Sequence, residues 1–383
     1  MRSLFSKNKS LFFLSAIIFT TLFSSSCGFV SSAVENITTF AGLSDTATVI
    51  AQRAQIRSSY AVVAADLLEI QRGDKLQVLE AMDFEKVKWY RVRASDEEET
   101  EGWIEAQNII LGDVLEKSNE LAKEIKDSQP QANGQLRAAS NLRMSPEQTG
   151  DNVLLKLDPA ATFEIINWKY VPKIQTEAEK ASNTAQNPEI ASAKEADEPE
   201  KLLEKYDIWY LVKLDRSVSP APAGWLFGRQ VELQVPSDIV FYQQNDKKFV
   251  TWQRIDEVVS DNSPAKPADA VKVAAPGSWV ILWRTDEVKT IDGVEPDFDG
   301  ILVLGYDKVN QEHYTVYRNS NVWGRLPMRM DGSGDNKTFT LKLRNNSNGQ
   351  VEDKAFVGSK SGNRLRVAAP SDMANYEQKD AKK

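Results

Sequence analysis

Two stretches of the chain carry the same succession of apolar and polar positions. One reads AQIRSS…LLEIQRGDKLQVLEA…KWYRVRAS…EGWIEAQNI and the other SNLRMS…VLLKLDPAATFEIIN…IWYLVKLD…AGWLFGRQV. In each, short β-branched, aromatic and alternating runs are separated by Gly, Asp or Pro, the pattern of brief strands joined by turns. The order of features is shared. A strand around Ile56 or Leu142 comes first, then Leu67–Ile70 or Val153–Leu157 and a turn at Gly73-Asp74 or Asp158-Pro159. Next come Leu76–Leu79 or Phe163–Ile166, a Trp-Tyr strand, a hairpin, and Gly-Trp before an apolar residue. Five strands in roughly 60 residues, repeated, predict two small barrels that each close most of their own edges.

Side chains alternate faces along a strand. Tyr210, Val212 and Leu214 share the inward face of the second copy, and Tyr90 and Val92 that of the first. Trp209, Leu211 and Lys213 then point outward, as do Trp89, Arg91 and Arg93. Burying a tryptophan contributes about 5 kcal/mol, so two outward rings call for a cover. That cover is either a ligand or partner, or a loop or neighbouring domain. Trp89, Arg91, Trp209 and Lys213 are therefore the candidate ligand-binding residues, with Trp103 and Trp225 assigned to the core.

Between the copies, residues 113–134 form a linker. Asp113 to Lys126 reads DVLEKSNELAKEIK, in which Asp113 and Glu116 have capping-box spacing and Val114, Leu121 and Ile125 fall near one helical face. A helical spacer is predicted. The second copy, 135–235, is interrupted by 174–204, whose few large apolar residues cannot offset its chain entropy; this insert is predicted to be disordered. From 236 to 372, strand candidates follow in series: Ile239–Tyr242, Phe249–Trp252, Trp279–Trp283, Ile301–Tyr306, Tyr314–Tyr317, Thr338–Leu343, Lys354–Val357 and Leu365–Val367. The expected architecture is mainly β: two small barrels joined by a short helix, then an antiparallel β sandwich or barrel, then a polar tail at 373–383.

Asn141-Leu142-Arg143, Trp209-Tyr210-Leu211-Val212 and Gly224-Trp225-Leu226 resemble the bacterial SH3-like (SH3b) domain pattern. So do Gln55-Ile56-Arg57, Trp89-Tyr90-Arg91-Val92 and Gly102-Trp103-Ile104 of the first copy, over 47–112. The first copy lacks the Asn, and the second lacks Gly-Asp in its turn. The resemblance implies SH3-like barrels. Through that family's association with peptidoglycan stems, it also implies cell-wall peptide or an envelope protein as the partner.

The N-terminus adds an address. Arg2, Lys7 and Lys9 precede the apolar run Leu11–Phe23, too short for a membrane span and of signal-peptide length. Ser24, Ser25 and Ser26 lead into Cys27, the only cysteine. This end of the 1–27 signal resembles the lipobox of bacterial lipoproteins, although Ser24 stands where that family favours Leu. The resemblance implies lipidation of Cys27, a flexible tether over 28–46, and an exported protein anchored by lipid to the cell envelope, facing the periplasm or in the outer membrane.

Composition narrows the chemistry. A formal net charge of −8 argues against a nucleic-acid binder. One cysteine excludes a disulfide framework and Cys-rich zinc sites. His313, the only histidine, follows Asn-Gln-Glu and is expected at the surface of a hairpin tip. Asp292, Glu295, Asp297 and Asp299 form an acidic cluster that turn chemistry explains. The loop Ser95–Gly102 is read as a solvated hairpin tip, and DGSGDNKT has Lys342 where a calcium loop needs Glu. No catalytic residue, metal or cofactor is expected. The chain reads as a non-catalytic envelope protein that binds through its two barrels. The alternative is an assembly lipoprotein in which the C-terminal β region makes the protein contact and the barrels are spacers.

Overall fold

Seven short strands build the first copy: β1 (Thr46–Val49), β2 (Arg53–Arg57), β3 (Asp66–Gln71), β4 (Lys75–Phe84), β5 (Val87–Ala94), β6 (Glu101–Glu105) and β7 (Ile109–Leu111). They form one antiparallel sheet in the order β3-β2-β6-β5-β4-β1-β7. The second copy is β8 (Ala132–Leu136), β9 (Ser140–Arg143), β10 (Val153–Leu157), β11 (Thr162–Pro172), β12 (Tyr206–Lys213), β13 (Ala223–Phe227) and β14 (Val231–Leu233). Its order, β10-β9-β13-β12-β11-β8-β14, is that of the first copy strand for strand. Each copy has two strands more than the sequence pattern announces, and β8 begins inside the segment expected to be linker. The structure, a computed structural model, describes residues 45–148, 152–173, 206–244, 247–256, 276–285, 291, 294–333, 336–362 and 364–378. The chain divides into two units, Met1–Ala41 and Gly42–Lys383, and every described residue belongs to the second. Cys27 and the 174–204 insert lie outside the described residues.

The likeness extends to irregularities. The register of the long hairpin skips one residue between Val78 and Glu80 in β4, and between Ile165 and Asn167 in β11. A bulge there bends and twists the strand. A 3-10 turn, Ala106–Asn108 or Gly228–Gln230, leads into each last strand. The Gly-Trp motif has a packing cause. A Cβ on Gly102 would stand 2.5 Å from the Arg57 carbonyl oxygen and 2.6 Å from Ile56. One on Gly224 would stand 2.6 Å from Leu142, the residue equivalent to Ile56.

Helix α1 (Gly112–Glu124) follows β7 directly. The expected capping box does not form: Leu111 is the cap residue, without a side-chain bond, and Asp113 sits in the first turn. There its charge favours the helix dipole. Glu116 instead accepts from Asn119 at 3.3 Å and Lys123 at 3.2 Å.

The C-terminal region consists of two four-stranded antiparallel meanders. One is β15 (Lys248–Arg254), β16 (Trp279–Arg284), β17 (Gly300–Asp307) and β18 (Glu312–Asn319); the other is β19 (Gly324–Ser333), β20 (Asn336–Arg344), β21 (Val351–Ser361) and β22 (Arg364–Ala368). Strands β16 and β17 are apolar at almost every position because both faces are covered, as expected of doubly buried strands. Val280, Leu282, Ile301 and Val303 pack with Phe339, Leu341, Leu343 and Phe356 of the second meander. Trp279, Ile281, Trp283, Leu302 and Leu304 join the core of the second copy, with Leu142, Tyr210, Val212 and Leu226. The boundary expected at 235/236 is therefore crossed by a continuous core, whereas the first copy keeps a core of its own around Ile56, Val78, Val92 and Ile104.

Three local expectations change. Val240–Tyr242 is a 3-10 turn, not a strand. Strand β19 has no counterpart in the sequence reading because Pro327 disguises it; proline is confined to edge strands, and β19 is an edge whose register skips between Arg325 and Arg329. The expected polar tail begins later than 373, since Met373 and Tyr376 belong to the core and Glu377 bridges to Val322.

The exposed edge of β19 is finished by side chains from the linker. Gln131 Oε1 accepts from the Met328 N–H at 2.9 Å, and its Nε2 donates to the Met328 carbonyl at 3.0 Å. Gln129 repeats the pair on Met330, both at 2.7 Å. On the other side, Thr251 Oγ1 donates to the Gln131 carbonyl and Gln253 Nε2 to that of Pro130. Two glutamine amides thus act as a short strand and satisfy an edge that would otherwise be open.

Candidate functional site

Of the four residues proposed from the sequence, Trp89 and Trp209 are buried, 5% and 2% exposed. This corrects the expectation of outward, partner-ready rings. Pointing away from the core of the copy is not the same as facing water. Each tryptophan lies in a central strand and is closed over by its neighbours: Met82 and Glu105 are the cross-strand partners of Trp89, Lys169 and Phe227 those of Trp209. The Trp209 and Phe227 rings sit 5.2 Å apart. Lys213 is half-buried opposite Ala223. Arg91 alone stands on an exposed face, opposite Trp103.

Trp103 belongs to a surface cluster, not to the core assigned from its motif. Its ring meets Tyr60 edge-on at 5.3 Å, and Tyr60 lies 4.8 Å from Phe84. All three are half-buried. Around them Leu67 and Val87 are exposed, and Val62 and Val63 project at 85% and 94% exposure. The loop holding these two valines is built, since Arg57 Nη2 donates to the carbonyls of Val62 and Ala64 at 3.0 and 3.1 Å. Beside the cluster, Arg91 and Arg93 both pair with Glu101, at 2.9 and 2.6 Å. Their bonds to Glu101, led by that of Arg93, hold its carboxyl below the usual range. Glu80, opposite Arg91, and Glu105, opposite Trp89, stand on the same face, so its cations are balanced by carboxylates. The signal available in the sequence was SSYAVVAA, an apolar run in a turn.

The equivalent face of the second copy is closed. Leu211 stands where the first copy has Arg91, and Ala223 where it has Glu101. Leu211, Ala223 and Ile166 are buried under Leu121, Ala122 and Ile125 of the α1 segment, with Trp225 alongside. Ser118 fixes the helix by donating to the Ala223 carbonyl at 2.6 Å and accepting from its N–H at 3.1 Å. Three residues after Arg143 stands Pro146, where three after Arg57 stands Tyr60, and Val171 occupies the register position of Phe84.

The acidic cluster is consumed internally. Glu295 pairs with Arg284, Asp297 accepts from the Leu326 N–H at 2.9 Å and pairs with Arg325 at 3.3 Å, and Asp299 accepts from Thr285 N–H and Oγ1. Burial raises Asp297, and raises Asp299 to about 6 against its bonds from Thr285. Asp292 lies outside the described residues. Arg284 also reaches the Tyr170 hydroxyl at 3.2 Å, whose pKa burial pushes up to about 12. These groups tie the 294–299 segment to β11, β16 and β19.

His313 is not at the surface; its side chain is 8% exposed. Its Nε2 lies 2.8 Å from the Gly277 carbonyl and 3.6 Å from Asp238, between the rings of Tyr306 and Tyr242. No helix among the described residues is long and apolar enough to cross a membrane. Neither protein-family models nor curated proteins give a match to this chain.

Proposed function

We propose that the chain is an exported, non-catalytic envelope protein, anchored by lipid on Cys27, whose first copy binds cell-wall peptide or an envelope protein. In this reading both seven-stranded units are SH3-like barrels. Their shared strand order, shared bulge and shared 3-10 turn before the last strand support it. The observation that carries the binding role is the contrast between equivalent faces: α1 covers the second, while Tyr60, Phe84 and Trp103 stay accessible on the first. Aromatic anchors with a polar rim are the usual currency of recognition. Arg91 and Arg93, both held by Glu101, supply the polar rim beside these rings. The second copy then acts as the spacer of the alternative reading, fused to the C-terminal sheets.

Retention of the mature chain on purified cell wall, and its pull-down of envelope proteins, test the reading. Tyr60→Ala with Trp103→Ala should abolish retention while the far-UV spectrum is unchanged; full retention by the folded double variant would remove this face as the site. Cys27→Ser should move the protein from membranes to the soluble fraction, and continued membrane retention would refute the anchor.

A further inference from the structure

A groove of about 570 Å³ lies beside His313. Its floor is Trp283, which lies flat across Gly300; a Cβ on that glycine would stand 2.0 Å from the ring. Two cations share this one ring, Lys247 Nζ at 5.3 Å and the Arg318 guanidinium at 5.8 Å from its centroid. Neither has a carboxylate within ion-pair distance among the described residues. The acid that lines the groove, Asp238, is occupied by the Gly277 N–H at 3.1 Å and Trp279 Nε1 at 2.9 Å. The wall is Tyr242 and Phe241, the latter 75% exposed.

Exposing a phenylalanine to water forgoes its burial energy, and two like charges over one ring repel unless an anion lies between them. We propose that this groove binds a phosphate monoester with an apolar substituent. Lys247 and Arg318 hold the dianionic phosphate, and Phe241 and Tyr242 cover the substituent. The aromatic floor keeps the cations in place through its quadrupole, and two positive charges match the two negative charges of a monoester.

Titration of the full mature chain with phenyl phosphate, followed by tryptophan fluorescence and calorimetry, tests the site. Phenyl phosphate should bind, inorganic phosphate more weakly and phenol not at all. Lys247→Gln with Arg318→Gln should weaken phenyl phosphate at least about tenfold, the change that about 1.4 kcal/mol produces. Phe241→Ala should weaken phenyl phosphate but leave inorganic phosphate unchanged. Vesicles containing phosphatidic acid, compared with phosphatidylcholine alone, separate the sources. Retention that depends on both cations points to a lipid phosphate; its absence, with phenyl phosphate still bound, points to a soluble ester. No binding of phenyl phosphate, or equal binding by the folded double variant, would overturn the proposal.

Discussion

The two copies share one strand order and one bulge, yet differ at the same surface. Arg91 and Glu101 in the first become Leu211 and Ala223 in the second. Two substitutions of charge by aliphatic carbon turn a wet face into one that accepts helix α1. The shared sheet frame sets where a face is, and a few outward residues decide whether the chain itself or another molecule covers it. The same frame also carries two energetic fates: a private core in the first copy and a core merged with the C-terminal sheets in the second.

The difference can be broken by exchanging the deciding residues. Leu211→Arg buries a charge beneath α1 and should cost about 4 kcal/mol in urea unfolding. The mirror change, Arg91→Leu, should cost no more than about 0.5 kcal/mol. Equal effects would mean that the helix does not seal the second copy. A pH series sharpens the contrast between separate and merged cores. Asp299 has its folded pKa raised to about 6 from an ordinary 3.8, so the folded state binds this proton more tightly than the unfolded state. Its contribution is full below about pH 4 and is lost as pH rises to about 6, a change on the order of 3 kcal/mol. Asp299→Asn should remove that slope from the unfolding of the C-terminal sheets and leave the first copy untouched; an unchanged slope in the variant would assign it elsewhere.

Gln131→Ala leaves the Met328 N–H and carbonyl without their partners and should destabilise by about 2–3 kcal/mol, read as a lower urea midpoint. Gly102→Ala and Gly224→Ala address what the copies have in common. The close approaches are alike, so each should cost about 1–3 kcal/mol. A large inequality between them would say that the shared frame is not equally tight.

Much of this was legible in the chain. The repeat, the helix, the Trp279–Trp283 strand and most C-terminal strands follow from periodicity and turn residues. The role of Trp89 and Trp209 was not, because alternation reports which way a side chain points and not what its neighbours cover. Strand β19 was hidden by Pro327, β1, β7 and β14 by their brevity, and β8 by its polar, glycine-containing sequence ANGQL. The site residues Tyr60 and Phe84 lie in a loop and at a hairpin end, where no period marks them. His313 was misplaced because its hairpin is covered by the 3-10 turn at Val240–Tyr242, a contact distant in sequence.

Hydrogen exchange of the mature chain, with and without solubilised cell-wall peptide, addresses the contrast between the two faces directly. Protection should appear at residues 58–66 and 101–105 of the first copy and be absent from 223–227 of the second. Protection confined to 223–227, or to the C-terminal sheets, would contradict the account.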